Sequence, residues 1–355
     1  MTLPGEIIAR EPRWLHESAP CSNVVATSRA RFARNVDGQQ FAPHAAPSVL
    51  EEVHDEILEA LRRSEYVRPF FLLELTEVTG TERAFLMERR LISREMERGG
   101  ANRTVYVGPQ LKSSILVNEE DHLRLQCLEN GLQLPAVMGA LEKLDNEVGE
   151  VIPYAYHERY GYLTACPTNV GTALRASVMM HLPGLSIRNE IQSNLQPLPR
   201  QGLTVRGFHG ENSENSGDYF QISNEVSLGK SKEQIVEELS EVVTHLMEKE
   251  LEARSVLHRE NGLAIQDAVW RSFGILTHAR RLDTSEAMRL LSRLRLGIDE
   301  GFFRNLSHET LNLLAMEIQP AHLMFRHGGD AEGSEARDQA RARLIRERLH
   351  EAESE

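Results

Sequence analysis

The hydrophobic pattern divides the chain into two parts with different periodicity. Between residues 24 and 230, the runs L-K-S-S-I-L-V-N and H-L-R-L-Q-C-L around 111–128 alternate apolar and polar positions, which predicts strands with one buried face. The runs L-T-V-R-G-F-H-G and D-Y-F-Q-I-S-N-E-V near 203–226 predict a hairpin with a long polar connection. Residues 48–64 and 171–182 predict helices packed on this sheet.

After Gly229 the pattern is helical throughout. Ser231 and Gln234 form a capping box, and apolar residues from Ile235 to Met247 recur on one face of the helix that follows. Further helical patterns cover about 265–282, 285–296, 307–318 and 335–352. The chain is therefore predicted to have a lead-in with a helical turn or two (1–23), a mixed α+β domain (24–255) and an all-helical domain (256–355).

Composition excludes several classes of protein. The net charge of −13 argues against general nucleic-acid binding, which needs a basic surface. No apolar run is long enough for a membrane span, and the N-terminus lacks the apolar region of a signal peptide. Three cysteines without paired spacing indicate reduced thiols in a cytoplasmic protein.

Arginines from distant segments are the first candidates for chemistry. Arg29 and Arg31 alternate, so a strand would place both on one face, and Arg124, Arg175 and Arg206 lie in three other motifs. The sequence has no G-x-x-x-x-G-K-[ST] loop, and converging guanidinium groups are another way to bind the phosphates of a nucleotide. Taken alone, each arginine is more typical of an ordinary surface or salt-bridge residue, so the prediction depends on the set.

Carboxylates and one cysteine complete the candidate site. Glu119, Glu120 and Asp121 are consecutive, and the alternation after them predicts that His122 and Arg124 point together into a cleft. A guanidinium becomes a nucleophile when it is held in plane and loses a proton, and Glu120 and Glu211 are the candidate pair for that task. Cys166 would have a thiolate favoured by nearby arginines, although taken alone it is more typical of a buried apolar residue. The helix-like run after Gly171 suggests that backbone amides and Arg175 face an anion.

Four motifs together resemble a known family. C-P-T-N-V-G-T-A-L-R-A-S, N-E-E-D-H-L-R, S-R-A-R-F-A-R-N and F-Q-I-S-N resemble the motifs of creatine and arginine kinases, and resemble more closely those of bacterial protein-arginine kinases of the McsB type. The similarity runs from about residue 22 to 350. It implies a guanidino-kinase catalytic fold, in which a largely antiparallel sheet is flanked by helices, followed by an all-helical C-terminal domain.

The resemblance also implies a role for each matching residue. Glu120 would be the general base, Glu211 the second clamp on the guanidinium, and Cys166 the thiolate beside the nucleophilic nitrogen. ATP, with Mg²⁺ bridging its phosphates and no metal bound by the protein itself, would be bound by Ser28, Arg29, Ala30, Arg31, Arg124, Arg175, Ala176, Ser177, Val178, Met179, Arg206, Gly207, Phe208, His209, Gly210 and Glu211.

The C-terminal run R-D-Q-A-R-A at 337–342 looks like a McsB motif. It implies that Arg337, Asp338 and Arg341 recognise phosphoarginine and relay an allosteric signal; a charged helix face is the alternative. The resemblance further implies a homodimer and protein substrates that carry arginine, among them a stress-response repressor and proteins marked for a Clp protease. It also implies an activator protein, and no nucleic-acid or membrane partner.

Three departures from the family leave alternatives open. Arg90 replaces a usual nucleotide-contacting histidine, Ala173 a usual glycine, and His209 a usual tyrosine. They motivate a weakly active adaptor that binds phosphoarginine. A free-arginine kinase is the other alternative, but such enzymes carry a complete helical domain before the S-R-x-R segment, whereas here fewer than thirty residues precede Arg29.

Overall fold

The structure is a computed structural model, and it describes residues 3–15, 19–207, 217–327 and 333–354. Its centre is an eight-stranded sheet in which every neighbouring pair is antiparallel, in the order β2-β3-β4-β5-β1-β8-β10-β9. The strands, including the small hairpin β6–β7, are β1 Val25–Arg34, β2 Phe71–Glu74, β3 Thr104–Val107, β4 Ser113–Val117, β5 Leu123–Asn130, β6 Tyr156–His157, β7 Gly161–Tyr162, β8 Leu174–His181, β9 Leu203–Gly207 and β10 Tyr219–Asn224.

Helices cover the sheet and make up the C-terminal part of the chain. The helices are α1 Gly5–Ala9, α2 Pro47–Arg63, α3 Gly80–Glu88, α4 Arg94–Glu97, α5 Leu134–Gly149, α6 Pro183–Ile187, α7 Ile191–Leu195, α8 Lys232–His278, α9 Thr284–Asp299, α10 His308–Glu317, α11 Pro320–His327 and α12 Ser334–Ser354. Within the described residues, no helix combines the length and apolar character that crossing a membrane requires.

One face of the sheet packs against three helices. Alternate residues such as Phe32 on β1, Leu125 on β5 and Val178 on β8 are buried in a core shared with α2, α5 and the first half of α8. Because side chains alternate across a strand, the residues between them point to the opposite face.

The opposite face is covered only in part. Leu73, Val105 and Leu116 on the outer strands pack against α1, α3 and α4. Met179 and Tyr219 pack against the C-terminal helices, which share a core of their own. The strand residues between these two covered regions line a cavity.

The long helix α8 connects the sheet to the C-terminal helices. The predicted capping box is present, because the Ser231 side chain accepts from the backbone of Gln234 and the Gln234 side chain accepts from that of Ser231. Asn261 has non-helical dihedral angles that kink the helix. Before the kink, the buried carboxylate of Glu250 accepts hydrogen bonds from the backbone N–H groups of Gly184 at 2.8 Å and Leu185 at 3.0 Å, which fixes α6 against α8.

The predicted antiparallel sheet with a helical C-terminal region is confirmed, but one predicted element is wrong. Residues 171–182 contain strand β8, at the centre of the sheet, rather than a helix. Alanine, leucine, arginine and methionine favour helices in isolation. Pairing with β1 and β10 overrides that preference because it buries Leu174, Ala176, Val178 and Met180 in the core.

Candidate active site

Five arginines share the open face of the sheet. Arg29 and Arg31 alternate along β1 as predicted, and Arg31 lies opposite Arg175 on β8. Arg124 on β5 and Arg206 on β9 occupy the same face, since Arg124 pairs with Ala33 and Arg206 with Gln221. Because β5, β1, β8, β10 and β9 are hydrogen-bonded neighbours, arginines from four segments converge on one surface, called here the arginine face.

The arginine face carries positive charge that is costly to maintain. Burial, followed by the repulsion of neighbouring arginines, lowers the pKa of Arg29 to about 9. The same causes hold the pKa of Arg31 well below its usual value. Among the described residues, the buried Nε of Arg31 has no hydrogen-bond partner. A polyanion bound here would relieve the repulsion and occupy this donor.

The acidic turn before β5 lies beside the arginine face. Glu119 is buried and accepts a hydrogen bond from Arg124 at 2.5 Å, so its carboxylate is already paired within the fold. The Glu120 side chain is 43% exposed and lies 3.6 Å from Arg124. Burial is the main reason that the pKa of Glu120 is raised, and the nearby carboxylates of Asp121 and Glu119 raise this pKa further. A carboxylate with a raised pKa is a better proton acceptor, so Glu120 is the one positioned as a base.

Cys166 faces the same cavity from another segment. Its Sγ lies 3.0 Å from the Oγ1 of Thr168, at the start of the 3-10 turn Pro167–Asn169. The cavity has a volume of about 980 Å³. Its lining includes the proposed chemical groups Arg29, Arg31, Glu120, Arg124, Cys166, Arg175 and Arg206.

Asp121 ties the Glu120 turn to the Cys166 segment. Its Oδ1 accepts from the Nδ2 of Asn35 and from the backbone N–H of Ala165, both at 2.7 Å. Asp121 is 1% exposed, and burial raises the pKa of its carboxyl. Through this one side chain, the base and the thiol are held in a fixed relation.

We expect Asp121→Ala to lower the free energy of unfolding by about 2–3 kcal/mol, because the buried amide of Asn35 and the partly buried N–H of Ala165 lose their acceptor. Denaturation in urea measures the change, and phosphoryl transfer should fall as well because the Cys166 segment loses its anchor. The exposed Asp37 provides a control, since Asp37→Ala should change stability little. Equal stability of the two variants would contradict this role for Asp121.

Residues from outside the predicted set also line the cavity wall, and two of them contact or influence Arg29. Arg90, noted only as a departure from the family, lies in the cavity with a positive φ of 62°, and it is the largest charged influence on Arg29. Burial lowers the pKa of Arg90 to about 10. Gln221 accepts a hydrogen bond from Arg29 at 3.2 Å. The F-Q-I-S-N motif contained a signal for Gln221, because it alternates with buried Phe220 and Ile222.

Several predicted site residues lie elsewhere. The prediction that His122 points into the cleft is wrong, because His122 is buried outside the cleft lining. Its Nδ1 accepts from the backbone N–H of Val36 at 3.1 Å and its Nε2 donates to the carbonyl of Gln40. Burial lowers the pKa of His122, which keeps the ring neutral for this structural role.

The strand alternation also separates the predicted nucleotide contacts. The hydroxyl of Ser28 donates to the carbonyl of Gly131 at 2.8 Å on the core side of the sheet. The side chains of Ala30, Ala176 and Val178 are in the same core, and Met179 packs against the C-terminal helices. Of the predicted residues on β8, Arg175 and Ser177 point to the arginine face.

The predicted loop contacts fall partly beyond the described residues. Gly207 is the last residue of β9, whereas Phe208, His209, Gly210 and the proposed clamp Glu211 lie outside the described ranges. Among the residues that are described, no group of three or more His, Cys, Asp or Glu side chains could hold a metal ion.

The C-terminal motif lies at the start of α12. Arg341 is buried; it donates to the carbonyls of Ile318 at 2.9 Å and Leu282 at 2.7 Å, and to Asp338 at 2.6 Å. Arg341 therefore joins α12 to the ends of neighbouring segments. Arg337 is partly exposed and remains accessible to a ligand.

Ala173 lies in the cavity wall with a φ of +53°, which explains why the resemblance predicts glycine there. The left-handed conformation costs a residue with a Cβ about 1–2 kcal/mol, whereas glycine loses about 0.4–1 kcal/mol through the unfolded state. We expect Ala173→Gly to raise the free energy of unfolding by about 0.5–1 kcal/mol in urea denaturation. The control Ala176→Gly, in strand β8 just after this position, should lower the free energy of unfolding. A lower free energy of unfolding in both variants would contradict backbone strain at Ala173.

Comparison with known proteins agrees with this geometry. Residues 52–253 match the family model "ATP:guanido phosphotransferase, C-terminal catalytic domain", and residues 262–355 match "Protein-arginine kinase McsB C-terminal domain". Among solved structures, lombricine kinase has a TM-score of 0.58 at 27% identity, covering 65% of this chain and 67% of that one. The duplicated taurocyamine kinase of Schistosoma mansoni, described with bound transition state analog components, has a TM-score of 0.58 at 26% identity, covering 68% of this chain and 34% of that one.

The chain is therefore a member of the ATP:guanido phosphotransferases. Within that class it belongs to the protein-arginine kinase family. It is 39% identical over 350 residues to the protein-arginine kinase of Halothermothrix orenii, covering 99% of this chain and 100% of that protein. It is also 39% identical over 344 residues to that of Bacillus subtilis strain 168, covering 95% of this chain and 93% of that protein.

Proposed function

We propose that this chain transfers the γ-phosphoryl group of Mg-ATP to arginine side chains of proteins, in the cavity above the arginine face. The observation that carries the proposal is the meeting of Arg29, Arg31, Arg124, Arg175 and Arg206 with Glu120 and Cys166 in one cavity. A polyphosphate, an entering guanidinium and a base can therefore be brought together at one place.

ATP would lie with its phosphates on the arginine face. Guanidinium groups bind phosphate oxygens through paired, charge-assisted hydrogen bonds, and the free Nε of Arg31 among the described residues supports such an anion. Mg²⁺ would arrive as the complex with ATP and bridge its phosphate oxygens. The arginines would stabilise the charge of the transferring group, where most of the rate enhancement of phosphoryl transfer arises.

The substrate guanidinium would enter beside Glu120 and Cys166. One of its nitrogens attacks the γ-phosphorus in line while the bond from that phosphorus to the bridging oxygen of ADP breaks. Glu120 accepts the proton that the nitrogen loses, so the products are phosphoarginine, ADP and a protonated carboxyl. Glu211 is proposed as the second clamp on the guanidinium and lies outside the described residues.

The two alternative functions make different demands on the same site. A free-arginine kinase would turn over the free amino acid efficiently, whereas a protein-arginine kinase would favour arginine within a polypeptide. An adaptor would bind phosphoarginine without turnover. The base-like position of Glu120 at the arginine face favours an enzyme over an adaptor.

The proposal also includes a phosphoarginine site in the C-terminal region and several protein partners. Arg337 and Asp338 would recognise phosphoarginine, with Arg341 fixing their helix to the rest of the C-terminal region. A homodimer, an activator protein and delivery of marked proteins to a Clp protease are proposed from the family resemblance. Calorimetry that compares phosphoarginine binding by Arg337→Ala and by the wild-type protein tests the role of Arg337 in recognising phosphoarginine.

The experiment that tests the function is mass spectrometry after incubation with Mg-ATP and an arginine-rich protein, handled without acid because P–N bonds are acid-labile. We expect phosphoryl groups on arginine side chains of the substrate. A parallel assay with free arginine separates the alternatives. Efficient transfer to the free amino acid alone would overturn the proposal, and so would the absence of transfer to either acceptor.

A further inference from the structure

Two segments near Cys166 expose large apolar side chains. Tyr156 and Tyr160, on the β6–β7 hairpin, are 58% and 43% exposed. Val226 and Leu228, after β10, are 41% and 48% exposed. These four residues are called here the rim patch. Exposed apolar groups that cluster beside a functional site are typical of interaction surfaces.

The two segments meet at Gly171. The backbones of Tyr162 and Gly171 exchange hydrogen bonds of 2.8 and 3.2 Å. A Cβ on Gly161 would lie 2.5 Å from the carbonyl oxygen of Gly171, and a Cβ on Gly171 would lie 2.9 Å from the Cα of Leu228. Because only glycine permits these approaches, the hairpin and the segment after β10 are packed together as one surface.

The rim patch is continuous with the catalytic cavity. Glu225, which precedes Val226, lines the cavity together with Thr168 and Asn169. Ser227, which lies between the two apolar residues, donates its hydroxyl to the carbonyl of Asn169 at 2.9 Å. The patch therefore begins where the wall formed by the Cys166 segment ends.

The hairpin is also held firmly in place. Tyr156 packs edge-on against Tyr162 with ring centroids 5.2 Å apart, and the guanidinium of Arg34 lies 3.6 Å from the centre of the Tyr162 ring. The ring of Tyr160 has the guanidinium of Arg159 at 5.3 Å. Aromatic faces that attract guanidinium groups are suited to a segment rich in arginine.

We propose that the rim patch binds the polypeptide that flanks the target arginine of a protein substrate. An arginine side chain that reaches Glu120 and Cys166 leaves its main chain outside the cavity mouth, where the patch lies. Aromatic side chains that become buried supply much of the affinity of such contacts, and burial of aliphatic side chains adds to it. The exposed carboxylate of Glu225 and the net charge of −13 favour a cationic partner. This inference rests on the proposed function.

The test compares two acceptors, an unfolded arginine-rich protein and the minimal acceptor N-acetyl-arginine amide, in two double variants, Tyr156→Ala/Tyr160→Ala and Val226→Ser/Leu228→Ser. We expect kcat/KM for the protein to fall about 10-fold or more in each, mainly through KM. The ratio of kcat/KM for the protein to that for the minimal acceptor should fall by the same factor. Binding of a labelled arginine-containing peptide, followed by fluorescence anisotropy, should weaken in parallel and does not depend on turnover.

Leu72→Ser is the matched control, because Leu72 is 39% exposed on β2 at the far end of the sheet. It should leave both the ratio and the peptide affinity unchanged. Equal losses on both acceptors with unchanged peptide affinity, or no loss at all, would overturn the docking surface. Wild-type protein that phosphorylates neither acceptor would refute the proposed function itself.

A second copy of this chain is the other occupant that the experiment can reveal. If the rim patch were covered by a second copy, both double variants would change the mass measured by analytical ultracentrifugation and leave KM for the protein substrate unaltered. That combination would also overturn the proposal. An unchanged mass with a raised KM is the result expected of a substrate-binding surface.

Discussion

Replacing Glu120 with glutamine is expected to lower the rate of phosphoryl transfer to arginine by about 10²–10⁴-fold, the usual contribution of a positioned general base. Glutamine keeps the size and polarity of the side chain but cannot accept the proton that the guanidinium loses. The affinity for Mg-ATP should change little, because the arginines bind the phosphates. Rates from quench-flow and affinities from calorimetry separate the two effects.

The same variant should change stability in a direction fixed by the pKa of Glu120. Burial is the main reason that this pKa is raised in the folded protein, so the folded state favours the protonated carboxyl. Its stabilising contribution is complete below the unfolded pKa and is lost as pH rises through the folded pKa. Glu120→Gln should therefore be more stable than wild type at neutral pH, and the gain should disappear in acid.

The control for Glu120→Gln is Glu158→Gln, since Glu158 is exposed on the β6–β7 hairpin. That change should leave the rate of transfer to N-acetyl-arginine amide within about two-fold of wild type, as surface substitutions usually do. Thermal melts across a range of pH give the stability comparison. Full activity of Glu120→Gln would remove Glu120 from its role as base.

Replacing Arg31 with methionine should produce opposite effects on binding and on stability. Because the variant lacks a guanidinium that would make charge-assisted hydrogen bonds to phosphate, we expect Mg-ATP to bind about 10–100-fold more weakly. Burial and the neighbouring guanidiniums already hold the pKa of Arg31 well below its usual value, so the unliganded protein maintains this charge at a cost. An apolar side chain of similar length should raise the free energy of unfolding by about 1–2 kcal/mol.

Calorimetry for ATP and urea denaturation without ligand measure these two effects of Arg31→Met. The control is Arg63→Met, because the Arg63 side chain is 67% exposed and pairs with Glu59 on α2. This control should change neither quantity appreciably. Loss of both affinity and stability in Arg31→Met would mean that Arg31 supports the fold rather than binding a ligand.

The strands that present the site could be predicted where the alternation was regular. The runs around 111–128 and 203–226 each place polar residues between buried ones, and β4, β5, β9 and β10 occur there. Strand β8 could not be predicted in this way, because its residues favour helices and only its two neighbours in the sheet make it a strand. Pairing between distant segments is not visible in local propensity.

The convergence of the arginines followed from their alternation and from the family resemblance, but the walls of the cavity did not. Met324 on α11, from the C-terminal region, and Arg90 after α3 line the cavity. Their positions depend on the contact of α11 with α3, where Glu88 accepts hydrogen bonds from the backbone of Ala321 at 2.8 Å and His322 at 3.0 Å. The alternation of β5 does not extend into the turn before Leu123, so it does not predict the position of His122.

A crystal structure of the protein with Mg-ADP, nitrate in place of the transferring phosphoryl group and an arginine-containing peptide tests the central claim most directly. The account predicts that the ADP phosphates and the nitrate contact Arg29, Arg31, Arg124, Arg175 and Arg206, with the peptide guanidinium against Glu120 and in line with the nitrate. Nucleotide bound away from the arginine face, or a guanidinium that does not reach Glu120, would contradict it.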